Sequence, residues 1–194
     1  MLRASYDWMM RQAASPGAER VLGLVSFAES SFFPIPPDVM LIPMVLARPE
    51  RAWRIAAIAT AASVLGGIAG YAIGYFLYET VGLWLIQLYG LAEKAEAFRR
   101  GYEEWGLLIV LVAGFSPLPY KVVTIASGAA AFDPFVFTWA SIVSRGARFF
   151  LVAVLLRLFG SVIRNFIEAR LGFVTGAFAV LLVLGFVALR YLRS

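Results

Sequence analysis

Long apolar stretches punctuated by prolines and short charged patches make up most of the chain, and the stretches differ in kind. Residues 55–78 carry no charge. At about 1.5 Å per helical residue they can cross a hydrocarbon core of about 30 Å. Residues 135–156 match that length but hold Arg145 and Arg148 in mid-segment. Residues 173–189 are shorter, end at Arg190 and suit a thin or little-tilted span. The pattern therefore predicts about three full transmembrane helices.

Residues 21–47 and 107–132 are apolar too, but each is broken at its centre. Pro34-Ile35-Pro36-Pro37 interrupts the first and Pro117-Leu118-Pro119 the second. Proline lacks the backbone donor and its ring crowds the preceding turn, so a doubled proline ends a helix. Each half is then too short to span, which predicts two re-entrant helical hairpins with tips at Pro34, Pro36 and Pro37 and at Ser116, Pro117 and Pro119. Broken backbone at that depth is tolerated where protein or a wet cavity surrounds it. A proline-kinked continuous helix is the competing description, more so for the second segment. Phe33 to Val39 also aligns with Ser116 to Val122, and a long helix follows each. A hairpin returns to its own side and the next helix crosses once. The second hairpin must then enter from the opposite face, which makes the repeat inverted, as in many secondary transporters.

Two further segments complete a single membrane domain over residues 1–194. In residues 1–20, Leu2, Tyr6, Met9, Met10 and Ala13 fall near helical spacing among Arg3, Asp7 and Arg11. That predicts an amphipathic interfacial helix, not a cleavable signal, stopped by Ser15-Pro16-Gly17. In residues 79–106 an apolar run gives way to Glu93, Lys94, Glu96, Arg99, Arg100, Glu103 and Glu104. This reads as a surface helix with i,i+4 pairs such as Glu96–Arg100.

Composition agrees with an all-α integral membrane protein. The chain is 61% hydrophobic and 15% charged, against about 25% charged in soluble domains, and its mean hydropathy is +0.82. Cys and His are both absent. That excludes disulfides, thiolate nucleophiles, His-bearing triads and sites built on Cys or His ligands, so neither a metal nor another cofactor is expected, and no enzyme. The net charge of +5 suits orientation and anionic headgroups better than nucleic acid. Arg3, Arg11, Arg20, Arg48, Arg51, Arg54, Arg157, Arg164 and Arg170 fall on one side. Lys94, Arg99, Arg100, Arg190 and Arg193 fall on the other. The positive-inside rule then places the N-terminus in the cytoplasm.

Five ionisable residues lie inside apolar segments: Glu29, Asp38, Lys121, Arg145 and Arg148. Each costs about 2.5–3.5 kcal/mol at a helix centre, so each needs a partner and points to a function. Asp38 and Lys121 hold equivalent repeat positions and are expected to face one another. Arg145 and Arg148, three residues apart on one helix face, can clasp a phosphate together with Lys121. Glu29 and Asp38 can exchange protons or gate the basic groups. A purely structural ion-pair network is the competing reading. Gly66, Gly70 and Gly74 form a close-packing stripe for another helix, while Gly114 and Gly128 are expected to lend the second hairpin flexibility.

Taken together, Glu29-Ser30, Pro34-x-Pro36-Pro37-Asp38, Gly66-Gly67-x-x-Gly70-Tyr71-x-x-Gly74-Tyr75, Trp105-Gly106, Gly114-Phe115-Ser116-Pro117-Leu118-Pro119-Tyr120-Lys121 and Ser127-Gly128 resemble the DedA family of bacterial inner-membrane proteins. These are also described as SNARE-associated or VTT-domain proteins. The Pro-Leu-Pro-Tyr-Lys hairpin and Arg145-x-x-Arg148-Phe149 resemble the YqaA-like branch. The resemblance covers about residues 20–160. It implies lipid movement: flipping or scrambling of phospholipids, or return of undecaprenyl phosphate, often tied to the proton motive force. It maps the family's hairpin acids onto Glu29 and Asp38. The second hairpin of the family usually carries two arginines around a proline. Here Ser116 stands near the first and Lys121 near the second, one residue out of register, with Arg145 or Arg148 available to supply the missing guanidinium.

The expected protein is thus a multi-pass transporter of the bacterial cytoplasmic membrane. Its partners are phosphate-bearing lipids and protons, with a homo-oligomer left open. A proton-coupled carrier of a small soluble anion and an envelope scaffold held by structural ion pairs are the alternatives.

Overall fold

A computed structural model describes residues 17–32, 36–116 and 120–169, together with Ala13 and Ser15. The interfacial helix expected over 1–20, the span expected over 173–189, and Pro34, Pro117 and Pro119 lie wholly or mostly outside the described residues. Every described element is helical: α1 (Ala18–Ser31), α2 (Asp38–Ala47), α3 (Ala52–Leu77), α4 (Leu83–Tyr89), α5 (Ala92–Phe115), α6 (Tyr120–Ala129) and α7 (Pro134–Ala169). A short 3-10 turn, Pro49–Arg51, leads into α3, and a π-helical turn, Tyr78–Gly82, continues it into α4.

Local chemistry sets several of these boundaries. Pro36-Pro37 opens α2, with the Val39 and Leu41 amides bonded to the Pro36 and Pro37 carbonyls. Asp133 caps α7: its Oδ1 accepts from the Phe135 and Val136 amides at 2.9 and 2.8 Å, with Pro134 in the first helical position. Gly90, at φ 63°, ends α4 in the left-handed conformation that glycine adopts without strain. Two boundaries differ from the sequence expectation. Residues 92–106 belong to one helix with residues 107–115, because the charges of Glu93 to Glu104 fall mostly on its exposed face and nothing breaks the backbone at Gly106. Helix α7 runs to Ala169 instead of stopping near 156, since Arg157 and Gly160 continue a helix without a cap or proline.

Helix directions follow from the packing. Gly23 lies beside Ile58, and Gly66 against the Phe27 backbone, so α1 runs parallel to α3. Tyr120 and Thr124 meet Gly67, Thr124 also meets Gly70, and Ile125 meets Gly74, so α6 is parallel to α3 as well. Gly146 beside Thr60, and Phe137 beside Gly67, make α7 antiparallel to α3. Gly106 against Phe132 and Gly114 against Ser144 set α5 parallel to α7. Asp38 at Arg148 and Leu46 at Gly160 set α2 parallel to α7 too. The chain thus turns back between α1 and α2 and again between α5 and α6, where Tyr102 meets Val123 and Ser127. Helix α2 packs on α7, and α6 packs on α3.

Two apolar cores result. One gathers Leu22, Leu41, Met44, Val45, Ile55, Ala59, Phe149 and Ala153 from α1, α2, α3 and α7. The other gathers Val110, Ala113, Tyr120, Phe137 and Ala140 from α5, α6 and α7. The glycine stripe of α3 is the shared wall, because a Cβ at Gly66 or Gly74 would strike the Phe27 or Ile125 carbonyl. Gly114 and Gly128 serve the same end: a Cβ would strike the Ser144 side chain at the first and the Tyr71 carbonyl at the second. They are contact points, which corrects the flexibility expected of them. Among the described residues one helical run, Pro49–Gly82, is long and apolar enough to cross a membrane. Helix α7 has the length as well and carries Arg145 and Arg148 within it.

Candidate functional site

Between the two cores lies a layer of polar side chains, and α7 supplies its cations. Arg145 is 2% exposed. Its Nη2 donates to Glu29 Oε2 at 2.9 Å and its Nε to Ser63 Oγ at 2.6 Å. Ser30 closes the ring: its hydroxyl lies 3.2 Å from Glu29 Oε2 and 2.7 Å from Ser63 Oγ. The faces of the guanidinium rest on the rings of Tyr120 and Phe149, 5.0 and 4.7 Å from their centroids. A planar delocalised cation tolerates this burial because its edge is hydrogen-bonded while its faces meet aromatic π clouds.

One turn on, Arg148 sits where the site opens. Its Nη2 meets Asp38 Oδ2 at 2.5 Å, with side chains 16% and 20% exposed. Its Nη1 donates to the Ser116 carbonyl, at the end of α5 where helix carbonyls leave partial negative charge. Asp38 opens α2, where the partial positive charge favours a carboxylate.

The two arginines therefore do parallel work. Arg145 joins α1, through Glu29, to α6, through Tyr120. Arg148 joins α2, through Asp38, to the end of α5, through Ser116. Each guanidinium thus links one proline-interrupted segment to the other. Thr124 adds a neutral link, donating to the Ser30 carbonyl at 3.0 Å. Tyr120 is held in turn by a 2.6 Å contact of its hydroxyl with Ser141, which donates to the Phe137 carbonyl.

Four of the five ionisable residues that the sequence places inside apolar segments are brought together, Glu29 and Arg145 buried, Asp38 and Arg148 partly so. The pairing differs in one respect: Asp38 meets Arg148 and does not meet Lys121. Lys121 starts the first turn of α6, half-buried, and forms no ion pair with another described residue. Of the expected tip residues, Pro36 is exposed, Pro37 is buried at the start of α2, and Ser116 lies at the arginine. Sequence reasoning missed Ser63 and Thr124, and met Ser30 and Tyr120 only as motif residues without a role in the site. A signal was present: Ser63 stands three residues before Gly66 on the small-residue stripe, where a hydroxyl faces the neighbouring helix.

A guanidinium fork that holds a carboxylate also fits a phosphate, which presents oxygens at similar spacing. The site can therefore exchange one oxyanion for another. Any such exchange requires Glu29 or Asp38 to let go.

Comparison with known proteins gives the chain its family. Residues 35–158 match the VTT domain. An uncharacterized protein of Haemophilus influenzae is 48% identical over 152 residues, 77% of this chain and 78% of the relative. An uncharacterized protein of Histophilus somni is 41% identical over 149 residues, 76% of each. One from the archaeon Methanocaldococcus jannaschii is 29% identical over 101 residues, 52% of this chain and 59% of the relative. No solved structure matches. The match takes in every element from α2 to α6 and most of α7, beginning within the first proline-interrupted segment and after α1, and the chain belongs to the VTT-domain, or DedA, family of membrane proteins.

Proposed function

We propose that the protein carries a phosphate-bearing lipid, such as a phospholipid or undecaprenyl phosphate, between the leaflets of a bacterial cytoplasmic membrane. The observation that carries this reading is the pair of arginines on α7. Each is held by one acid of the first interrupted segment, and each also touches the second. In this mechanism Glu29 and Asp38 accept protons, which weakens the ion pairs and frees guanidinium edges for the lipid phosphate. Lys121, with no ion pair of its own among the described residues, supplies a third positive charge. Release of the phosphate lets the carboxylates lose their protons and close again. The tails stay in the bilayer while the headgroup crosses along the polar layer.

The opposed directions of α3 and α7, and the return of the chain after α1 and after α5, support two re-entrant hairpins in an inverted repeat. That arrangement offers the site to either face in turn. With residues 173–189 as a further span, the reading has three full crossings and a cytoplasmic N-terminus.

A second reading has an observation of its own. Arg145 is buried and fully partnered, as a purely structural ion pair would be. Leaflet exchange in proteoliposomes separates the two. Fluorescent phospholipid and a polyprenyl phosphate are followed with and without a pH gradient, for wild type and for Asp38→Asn, Lys121→Ala and Arg148→Gln, each checked for folding. Loss of exchange in folded variants supports transport. Exchange of neither lipid by the wild type refutes it, and a small soluble anion then becomes the substrate to test.

A further inference from the structure

The end of the bundle where α3 begins carries charge that the proposed transport leaves unused. Glu19 on α1 accepts Arg51 Nη1 at 3.3 Å and Arg54 Nε at 2.9 Å. A single carboxylate is thereby shared by two guanidiniums, and the Arg54 side chain remains 69% exposed. On the neighbouring α7, Arg157 lies over the Trp53 indole, 5.5 Å from its centroid. Trp53 is stacked in turn on Phe150, with centroids 6.1 Å apart and planes inclined by 24°. Trp53 is 45% exposed. Arg157 is exposed as well and forms no ion pair with a described residue.

Three features make this corner more than a solvated basic face. The indole sits at the start of the long apolar helix, at the depth where tryptophan marks the passage from hydrocarbon to headgroups. The cation–π contact with the indole engages the Arg157 charge through its face and leaves its N–H donors for an outside acceptor. The positive charge exceeds what Glu19 can neutralise, so the missing partner is an anion, and the aromatic shelf beneath it demands an apolar portion on that anion. Arg157 follows Arg148 by nine residues, about 13 Å along the helix, so the corner is separate from the polar layer.

We infer that Arg157 and Trp53 form a binding site for an anionic phospholipid, its phosphate on the Arg157 guanidinium, its glycerol and upper chains against Trp53 and Phe150, and the exposed Arg54, next to the indole in sequence, adding positive charge. The site holds a resident lipid and does not depend on transport. Native mass spectrometry of the full chain in detergent tests it, with added dioleoyl phosphatidylglycerol or dioleoyl phosphatidylcholine and with glycerol 3-phosphate as a chainless competitor. Phosphatidylglycerol should be retained over phosphatidylcholine. Arg157→Gln or Arg54→Gln should each lower that retention about fivefold, as expected for one basic side chain at a headgroup. Trp53→Ala should lower retention of both lipids, and Arg100→Gln, at a surface pair elsewhere, should change nothing. Equal retention of the two lipids overturns the inference, as does unchanged retention in both arginine variants. Displacement by glycerol 3-phosphate overturns the lipid assignment in favour of a soluble phosphate. Leaflet exchange in phosphatidylcholine vesicles should be the same for Arg157→Gln as for wild type, which keeps this test apart from that of transport.

Discussion

Removing Glu29 should hurt the protein far more than removing Glu29 and Arg145 together. In the native fold the Arg145 guanidinium has two hydrogen-bond partners, Glu29 Oε2 at 2.9 Å and Ser63 Oγ at 2.6 Å, and the side chains of the pair are 2% and 10% exposed. Glu29→Gln keeps the shape and a neutral amide oxygen that can accept from Arg145, but it removes the countercharge and leaves a buried cation with no anion beside it. Arg145→Met keeps most of the volume but leaves a buried carboxylate facing Ser30. Breaking a buried pair from one side costs about 3–5 kcal/mol, whereas replacing both members with neutral groups is often close to neutral. The double variant should therefore lie within about 1 kcal/mol of wild type, with a coupling energy of about 3 kcal/mol or more. The measurement is unfolding of the purified protein by SDS in mixed micelles, followed by circular dichroism for all four members of the cycle. The Asp38–Arg148 pair, partly open to water, should show a coupling of only about 1 kcal/mol. Additive costs at Glu29 and Arg145, with coupling under about 0.5 kcal/mol, would refute the claim that this ion pair is buried and mutually dependent.

Other substitutions probe other contacts. Gly74→Ala drives a methyl into the Ile125 backbone and should cost about 1–3 kcal/mol. Gly101→Ala, which meets open space inside α5, should stabilise by about 0.5–1 kcal/mol, and the same SDS titration reads both. Tyr120→Phe removes the 2.6 Å contact with Ser141 but keeps the ring beneath Arg145, so a thermal melt should register a loss of about 1 kcal/mol. Lys121→Gln breaks no ion pair with a described residue and should leave stability within about 0.5 kcal/mol. The same variant should still slow lipid exchange severalfold in proteoliposomes; an undiminished rate would remove Lys121 from the phosphate site.

What could be read from the sequence was whatever hydropathy and backbone chemistry encode directly. The helix read over 55–78 lies almost wholly within Ala52–Leu77, because an uninterrupted apolar run has one stable form in a bilayer. The glycine stripe was legible because only absent side chains let backbones meet. Four charges inside apolar segments were found through the cost of leaving any of them alone. Their partners were harder. Asp38 and Lys121 match by repeat position, yet Arg148 reaches Asp38 because α2 and α7 run side by side, a fact of tertiary packing and not of spacing. Ser63 and Thr124 escaped notice because a hydroxyl costs little in an apolar helix and leaves no mark on a hydropathy profile. Tyr120 passes as one more aromatic until a guanidinium is seen resting on it. The length of α5 was hidden by its change from charged to apolar, which alters its surroundings without interrupting its backbone.

The order in which the ribosome delivers these partners has a consequence for biogenesis. Glu29 and Arg145 are separated by 116 positions, and Asp38 and Arg148 by 110. At about 5–20 residues per second of synthesis, the two acids leave the ribosome roughly 6 to 23 seconds before their arginines. During that interval α1 and α2 have neither their cations nor the second half that covers them. A nascent chain released before α7 would carry two unmatched carboxylates into the lipid, each resisting insertion. Final seating of α1 and α2 must therefore be nearly the last event of assembly, although they are translated early. Chains truncated after Ala129 should become substrates for membrane quality control.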